Sequence, residues 1–594
     1  MQNWRHTRKR TSMMFRVLRA HSSDPEVTFR RKFRDCCIVL ITLNLALLLD
    51  SLPCLAFRPL SIQVQESLRN RIEAAGIPPE ITVGDDHIHS SVALPLFYTR
   101  RIFREAWISD GALKPVVPEL VEAIHKADLE GLDPQDYHLN SINVLLEKIK
   151  QSQEKSKSLD PSMLADLDLL LTDAFLIYGS HLLSGRVNPE KIDSEWIANR
   201  RGTDMALILE NALESNEVAK TLNKLIPPQP GYWALRELLS QYREIAQKEG
   251  WDKIPEGPKM QRGDRSERVR ALRNRLIATG ELSLGEESID NLFDNELEEA
   301  VRRFQHRNCL EADGIVGTAT MATLNVPVED RIEQIRVNME RWRWLPEDLG
   351  HRHIIVNIAG FKLDVFENGQ SVMPMRVVVG TKYRRTPVFS AKMTYLVLCP
   401  YWHIPPKIAV QDKLPLIQKD VSYLKQHKIK ILQGWGAETR EIDPNDIDWL
   451  SISSGNFDFR LRQDPGPLNA LGRVKFMFPN RFDVYLHDTP SRELFAKSAR
   501  TFSSGCIRIE KPVELAEYLL RNDPNWTLEN ILNAIKANRE QTIIIPEPID
   551  VHLLYWTTWV DDDGSVYFCK DIYKRDERLS KALEEKSPNS SDSN

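Results

Sequence analysis

Cysteine is scarce in this chain: 594 residues carry seven, and three of them, Cys36, Cys37 and Cys54, fall among the first 57. The other four, Cys309, Cys399, Cys506 and Cys569, are too few to staple a chain of this length as a disulfide scaffold. None sits in a CxxC pair or beside clustered histidines, so no metal and no cofactor is expected. Positive charge is not in excess either. The net charge is -5 and the basic residues are spread along the chain rather than gathered into one stripe, which argues against a nucleic-acid partner. Long apolar runs are also missing. The run at residues 36–49 stops at Asp50, short of the roughly 20 residues that a stable membrane span needs.

What is present describes an ordinary globular protein, with 27% charged and 42% apolar residues. The length exceeds what one core holds, so three or more domains are expected. The first 35 residues are an exception, with ten Lys or Arg including Arg5, Arg8, Lys9, Arg10, Arg30, Arg31 and Lys32. A basic stretch followed by a short apolar one reads as a signal peptide, with Cys54-Leu55-Ala56 offering small residues for cleavage after Ala56. An uncleaved inner-membrane anchor over residues 36–57 is the alternative. Either version puts the remainder outside the cytoplasm, because the positive charge stays on the inner side.

The chemistry is concentrated near residue 500. His487, in Tyr485-Leu486-His487-Asp488-Thr489-Pro490, precedes by nineteen residues the cysteine of Ser503-Ser504-Gly505-Cys506-Ile507-Arg508. A thiol attacks as thiolate, and an imidazole nearby can take its proton. Gly505 permits a sharp turn, so neighbouring amides could face a developing oxyanion. These residues resemble the signature of the L,D-transpeptidases, the YkuD catalytic domain, which crosslink bacterial peptidoglycan through a cysteine acyl-enzyme. The usual family form has His at the position of Ser504 and Asn at that of Arg508. Both departures are similar to the large, multidomain, YcbB-like branch. The resemblance implies Cys506 as nucleophile, His487 as general base, and the amides of Ser504, Gly505 and Cys506 as oxyanion donors. Arg508 is a candidate for a substrate carboxylate, with a structural ion pair as the alternative. Tyr485 and Trp402 are candidates for the groove wall, with core packing as the alternative. Asp488 is left out, since neighbours on a strand point to opposite faces.

The rest of the chain reads as a multidomain α+β protein. Residues 1–57 form the basic region with signal peptide or anchor. Residues 58–262 are a helical scaffold, in which 161–183 recur at helix spacing and 180–188, with His181, Ser184 and Arg186, read as a helix end and surface loop. Residues 263–327, with Phe304-Gln305 and Asp313-Gly314, resemble the three-helix peptidoglycan-binding domain. A linker helix over 328–350 leads into strand periodicity from His353, with Asn368-Gly369 as a hairpin turn. Residues 351–575 are then the catalytic domain, a β-sandwich by resemblance. Residues 401–471 interrupt it as a capping insertion, read as helix and loop, that would act as a lid. Asp561-Asp562-Asp563-Gly564 reads as a turn rather than a calcium loop, and 576–594 as a disordered tail.

By resemblance the protein is a periplasmic L,D-transpeptidase. Cys506 would attack a donor tetrapeptide stem, release D-alanine, and pass the acyl group to an acceptor stem as a 3-3 crosslink. Two other readings stay open: an L,D-carboxypeptidase, which gives the same acyl group to water, and a non-catalytic wall-binding scaffold.

Overall fold

The computed structural model describes residues 58–76, 80–197, 200–283 and 291–585. The leader at 1–57 and the end of the tail at 586–594 lie outside the described residues. Among the described residues no helix is long and apolar enough to cross a membrane.

Helix α1, Pro161–Ser184, organises the N-terminal module. Asp160 caps it by accepting from the Ser162 N–H, Pro161 sits in its first turn where no N–H is needed, and Gly185 ends it at φ +80°. Almost every residue from Leu164 to Tyr178 is buried, so it is a central rather than a surface helix. Polar groups on it are satisfied by their surroundings. Asp168 accepts from Tyr98 Oη at 2.6 Å and from the amides of Ala106 and Trp107 at 2.9 Å each. The reading of 180–188 as a surface loop needs correcting. His181 and Ser184 are buried, His181 Nδ1 lies 3.1 Å from Tyr137 Oη, and Arg186 pairs with Asp136 at 2.7 Å. The reason is tertiary, because neighbouring segments fold back over this end of the helix.

Three helices follow, α2 Glu267–Ala278, α3 Asn295–Arg307 and α4 Thr318–Leu324, around their own small core. Gln305 is 1% exposed and binds the next turn with both ends of its amide, donating to Asp313 Oδ1 at 2.7 Å and accepting from the Gly314 N–H at 2.8 Å. The Phe304-Gln305 and Asp313-Gly314 motif is thus a fastening inside the module. Helix α5, Val328–Arg343, serves two cores: Ile335, Met339 and Trp342 pack with the scaffold, Val337 with the catalytic domain.

The catalytic domain is one sheet that folds back on itself. Strands β1 Arg352–Asn357, β2 Lys362–Glu367, β3 Gln370–Gly380 and β4 Phe389–Leu398 open it. Asn368 and Gly369 both have positive φ, +51° and +79°, as the turn between β2 and β3 requires. The first half of β3 pairs with β2 and its last residues with strands on the other layer, so β3 joins the two layers around a common core.

The insertion corrects the expectation of helix and loop. It contains β5 Trp402–Ile404, β6 Ile429–Gln433, β7 Arg440–Ile442 and β8 Arg460–Gln463, paired in the order β7-β6-β8-β5. Strands of three to five residues, each broken off by Gly, Pro or Asp, carry too little periodicity to be read locally. Their own core includes Ile404, Ile417, Leu424, Ile431 and Trp449. The catalytic sheet resumes with β9 Val474–Met477, β10 Leu486–His487, β11 Thr501–Ser503, β12 Ile507–Ile509 and the long β13 Gln541–Leu554. A hairpin, β14 Thr558–Val560 and β15 Val566–Phe568, turns at 561–564 as expected.

Two further features depart from the sequence reading. Cys309 of the three-helix module and Cys569 form a disulfide across 260 residues, leaving Cys399 and Cys506 free. The tail does not begin at 576: helix α6, Arg575–Glu584, packs Leu579 and Leu583 into the catalytic core. Its first residue ties the domains together. Arg575, with a fully buried side chain, bonds Asp193 at 3.2 Å and Glu195 at 3.3 Å, both from the N-terminal module. Removing one partner of a buried ion pair leaves an uncompensated charge. Asp193→Ala should therefore lower stability by about 3 kcal/mol in urea unfolding, and Asp193→Asn by less. Equal midpoints for Asp193→Ala and the unsubstituted protein would show that Arg575 is solvated in some other way.

Candidate active site

Strand register explains why the sequence motif converges. In the sheet Lys475 of β9 lies opposite His487 of β10, His487 opposite Arg508 of β12, and Arg508 opposite Val378 of β3. Directly opposed residues project to the same face, and residues two apart on a strand share it. One face therefore presents Lys475, His487 and Arg508 in a row, with Tyr485 and Cys506 in the row beside them. The parallel pairing of β10 and β12 is what brings residues nineteen apart in sequence side by side.

The imidazole is oriented by its own strand. His487 Nδ1 lies 2.6 Å from the Asp488 carbonyl oxygen, which can only accept, so Nδ1 carries the hydrogen and Nε2 the free lone pair. Burial first, then the Arg508 charge, with Lys475 adding to it, push this group down to about 3 against the pull of the Asp488 carbonyl. Asp488 is a support, as expected from its orientation. Its buried carboxylate accepts from Arg473 N and Nε at 2.9 Å each, and Gly472 leaves room for it where a Cβ would collide.

Cys506 is half-buried and free. Burial pushes its thiol up, while Tyr485 and Lys475 oppose that shift. Among the described residues its acceptor is the Asp483 carbonyl at 3.8 Å, and no thiol–imidazole bond is formed. Asp483 holds the left-handed φ of +53°, unusual for a non-glycine residue, and so presents that carbonyl. Both shifts favour the uncharged forms, thiol and imidazole, in the resting site.

The turn before the thiol is tightly held. Ser503 Oγ donates to the Cys506 carbonyl at 2.5 Å and accepts from the Gly505 N–H at 3.2 Å, while Thr386 Oγ1 donates to the Gly505 carbonyl at 2.8 Å. Gly505 has φ +116°, a region open to glycine alone. The expectation that three amides face an oxyanion needs correcting, because the Gly505 N–H already has Ser503 Oγ as acceptor. The amides of Ser504 and Cys506 have no acceptor among the described residues and remain available.

Other candidates separate. Tyr485 stands over the thiol row: its ring centroid is 5.7 Å from that of His487, with Lys475 Nζ 4.0 Å from the Tyr485 centroid. Trp402, 9% exposed, packs in the core of the insertion, with Lys413 Nζ 5.4 Å from its ring. Arg508 forms no ion pair among the described residues, and its Nε is buried without an acceptor. The structural alternative for Arg508 is therefore not realised. Two further residues, given no site role from the sequence, join the site. Lys475 lies on a strand interrupted from the motif by a loop, and only pairing places it in the row. Arg384 donates to Ser504 Oγ at 3.0 Å and binds Asp412 Oδ1 of the insertion at 2.6 Å, joining the nucleophile turn to the cap. Among the described residues no group of His, Cys, Asp and Glu is arranged to hold a metal.

Three family models match successive parts of the chain. The family model described as "L,D-transpeptidase catalytic domain" matches residues 351–527, "Scaffold domain" residues 92–239, and "Putative peptidoglycan binding domain" residues 265–324. A protein of Haemophilus influenzae named "Putative L,D-transpeptidase" is 37% identical over 251 residues, which is 42% of this chain and 49% of that protein. The match thus spans about half the length of this curated relative. A crystal structure of an L,D-transpeptidase from Xylanimonas cellulosilytica is 15% identical, covering 50% of this chain and 99% of that one, with a TM-score of 0.16. One from Stackebrandtia nassauensis is 12% identical, covering 51% and 96%, with a TM-score of 0.20. TM-scores this low carry no structural argument.

Proposed function

Taking this chain as a member of the L,D-transpeptidase family by its catalytic domain, we propose that it forms 3-3 crosslinks in peptidoglycan through a thioester on Cys506. The observation that carries this reading is the shared face of Cys506, His487 and Arg508, set by the register of β10 and β12. The thiol attacks the carbonyl of the third stem residue as His487 Nε2 takes its proton. The amides of Ser504 and Cys506 receive the oxyanion. The imidazolium then protonates the leaving D-alanine nitrogen, and the acyl group stays on sulfur. An acceptor amine, deprotonated by His487, completes the transfer. Arg508, whose buried Nε has no acceptor among the described residues, suits a substrate carboxylate by its planar fork. The reaction is placed in the periplasm, with the protein exported or anchored by residues 1–57. The Cys309–Cys569 disulfide supports an oxidising compartment.

Purified disaccharide tetrapeptide incubated with the protein should yield D-alanine and 3-3 dimers, resolved by mass spectrometry. Tripeptide alone would favour the carboxypeptidase reading, and unchanged substrate the scaffold reading. The cap is assigned the task of keeping water from the thioester. Replacing residues 401–471 by a short Gly/Ser loop should raise the tripeptide-to-dimer ratio by about tenfold. Arg384→Ala, which cuts the link between Ser504 and Asp412 while leaving the cap core intact, should raise it in the same direction. An unchanged ratio in a folded variant would remove the lid role.

A further inference from the structure

Two cavities away from the thiol share a wall made by Lys362, Pro374, Trp559 and Asp561. The larger, about 730 Å³, runs from Pro230 and Gly231 of the scaffold to β2, and the smaller, about 530 Å³, from His306 of α3 and Leu310 just beyond it to Arg376 and Arg500. Trp559 and Asp561 of the β14–β15 hairpin line both. Each falls within the roughly 300–1,000 Å³ common for ligand clefts.

Their walls are aromatic in a specific way. Trp559 is half-buried and stacks on Tyr567 with centroids 4.8 Å apart and planes within 3°. Tyr567 in turn meets His306 of the three-helix module at 5.7 Å, so a line of rings crosses from the catalytic domain to that module. Farther along, Trp342 lies 4.3 Å from Trp556 in a second stacked pair. Trp342 is 7% exposed, and its buried Nε1 has no acceptor among the described residues, although it lines the larger cavity. A buried donor without a partner is rare and calls for a ligand or solvent acceptor. Asp562 and Asp563 stand exposed at the rim of this cavity. The hairpin is held against α3 by the Cys309–Cys569 disulfide and by Arg307 Nε donating to the Val566 carbonyl at 2.8 Å, so the line of rings is braced.

Flat aromatic faces cover the C–H side of a sugar ring, and carboxylates accept from its hydroxyl edge. The walls carry both signs, Asp562 and Asp563 at the rim and Lys362, Arg376 and Arg500 inside, a mixture that favours a neutral polar chain over a polyion of either sign. We propose that the two cavities at Trp559 form one groove for the glycan strand that bears the stem peptides, a neutral chain of N-acetylated sugars. The site rests on the wall-acting function proposed above and adds to it a second point of hold on the substrate. Trp559, its Nε1 fixed by Asp561 Oδ1 at 3.0 Å, stacks on a sugar ring, Trp342 Nε1 donates to a hydroxyl or acetamido oxygen, and the exposed Asp562 and Asp563 accept from hydroxyls.

The test uses the full-length protein carrying Cys506→Ala, titrated with a β-1,4-linked N-acetylglucosamine tetramer and with peptide-free glycan strands, followed by calorimetry. Binding of both is expected. Adding Trp559→Ala should weaken it by at least about tenfold, Trp559→Phe should restore most of it, and Trp342→Phe, which removes the N–H alone, should weaken it about threefold. No glycan binding by the parent protein, or equal affinity after Trp559→Ala, would overturn the groove and leave any binding to residues 265–324. Carbapenem acylation of the unsubstituted protein, measured in parallel, reports on Cys506 separately. Failure there with glycan binding intact would count against the transpeptidase reading, not against the groove.

Discussion

Replacement of Cys506 by alanine is expected to abolish crosslinking, with a loss of at least about 1,000-fold, while the protein keeps its fold and unfolding midpoint. The thiol is half-buried, its acceptor among the described residues is the Asp483 carbonyl at 3.8 Å, and Tyr485 packs beside it, so its removal costs little beyond these contacts. An electrophilic carbapenem should form one adduct per chain on the unsubstituted protein. The strained lactam carbonyl offers thiolate and oxyanion donors the same tetrahedral chemistry as a peptide. Peptide mapping should place the adduct on Cys506. Cys399 is a poor competitor, because it is buried and burial raises its thiol. Cys309 and Cys569 are joined to each other. A Cys506→Ala protein that still makes dimers, or an adduct on Cys399, would return the chain to the wall-binding scaffold reading.

His487→Ala should slow carbapenem acylation by about 10²–10⁴-fold near pH 6 and recover as pH rises. The sign follows from the two shifts. An imidazole depressed to about 3 is neutral, and able to accept a proton, at every pH above roughly 4. A thiol raised by burial keeps its proton until alkaline pH. The competent neutral pair therefore persists from mildly acidic pH up to the alkaline range in which the raised thiol ionises, and acylation of the unsubstituted protein should be flat over that span. Without His487 the reaction depends on free thiolate, which grows about tenfold per pH unit below the thiol pKa. Alkylation by iodoacetamide, which needs thiolate and no base, should climb in the same manner even with His487 present. A plateau in alkylation between about pH 5 and about pH 8 would mean a preformed thiolate–imidazolium pair, and would contradict the neutral resting state. The same measurement reaches Lys475. Its ammonium favours the thiolate, so Lys475→Met should lower the alkylation rate at each pH without moving the acylation plateau.

How far the sequence carried the site depends on which interactions are local. The Asn368-Gly369 turn, the change from helical to strand spacing near His353, and the Ser503 to Arg508 turn are encoded by residues within a few positions of one another. Each appears where the spacing put it. Backbone sterics decide such features, and sterics act between chain neighbours. The resemblance in the motif named Cys506 and His487 for the same reason, since both stand in short contiguous runs.

Other features needed the chain to return on itself. The four strands of the insertion hold together only through partners up to about sixty residues away, as when Gln463 meets Trp402, so no short window shows them. The disulfide joins residues 260 apart, and spacing could not choose it among the remaining cysteines. The Gly505 amide was removed from the oxyanion set by a side chain two residues earlier whose rotamer is settled by the packed turn. Most of all, the electrostatic state of the site is tertiary. Burial in the sheet first, then the Arg508 charge that β12 sets beside it, with Lys475 of β9 adding less, push His487 toward its neutral form. Which groups are candidates to react is legible in the chain, because a thiol and an imidazole are properties of side chains. Only the folded sheet decided their protonation, since desolvation and charge proximity depend on which strands become neighbours.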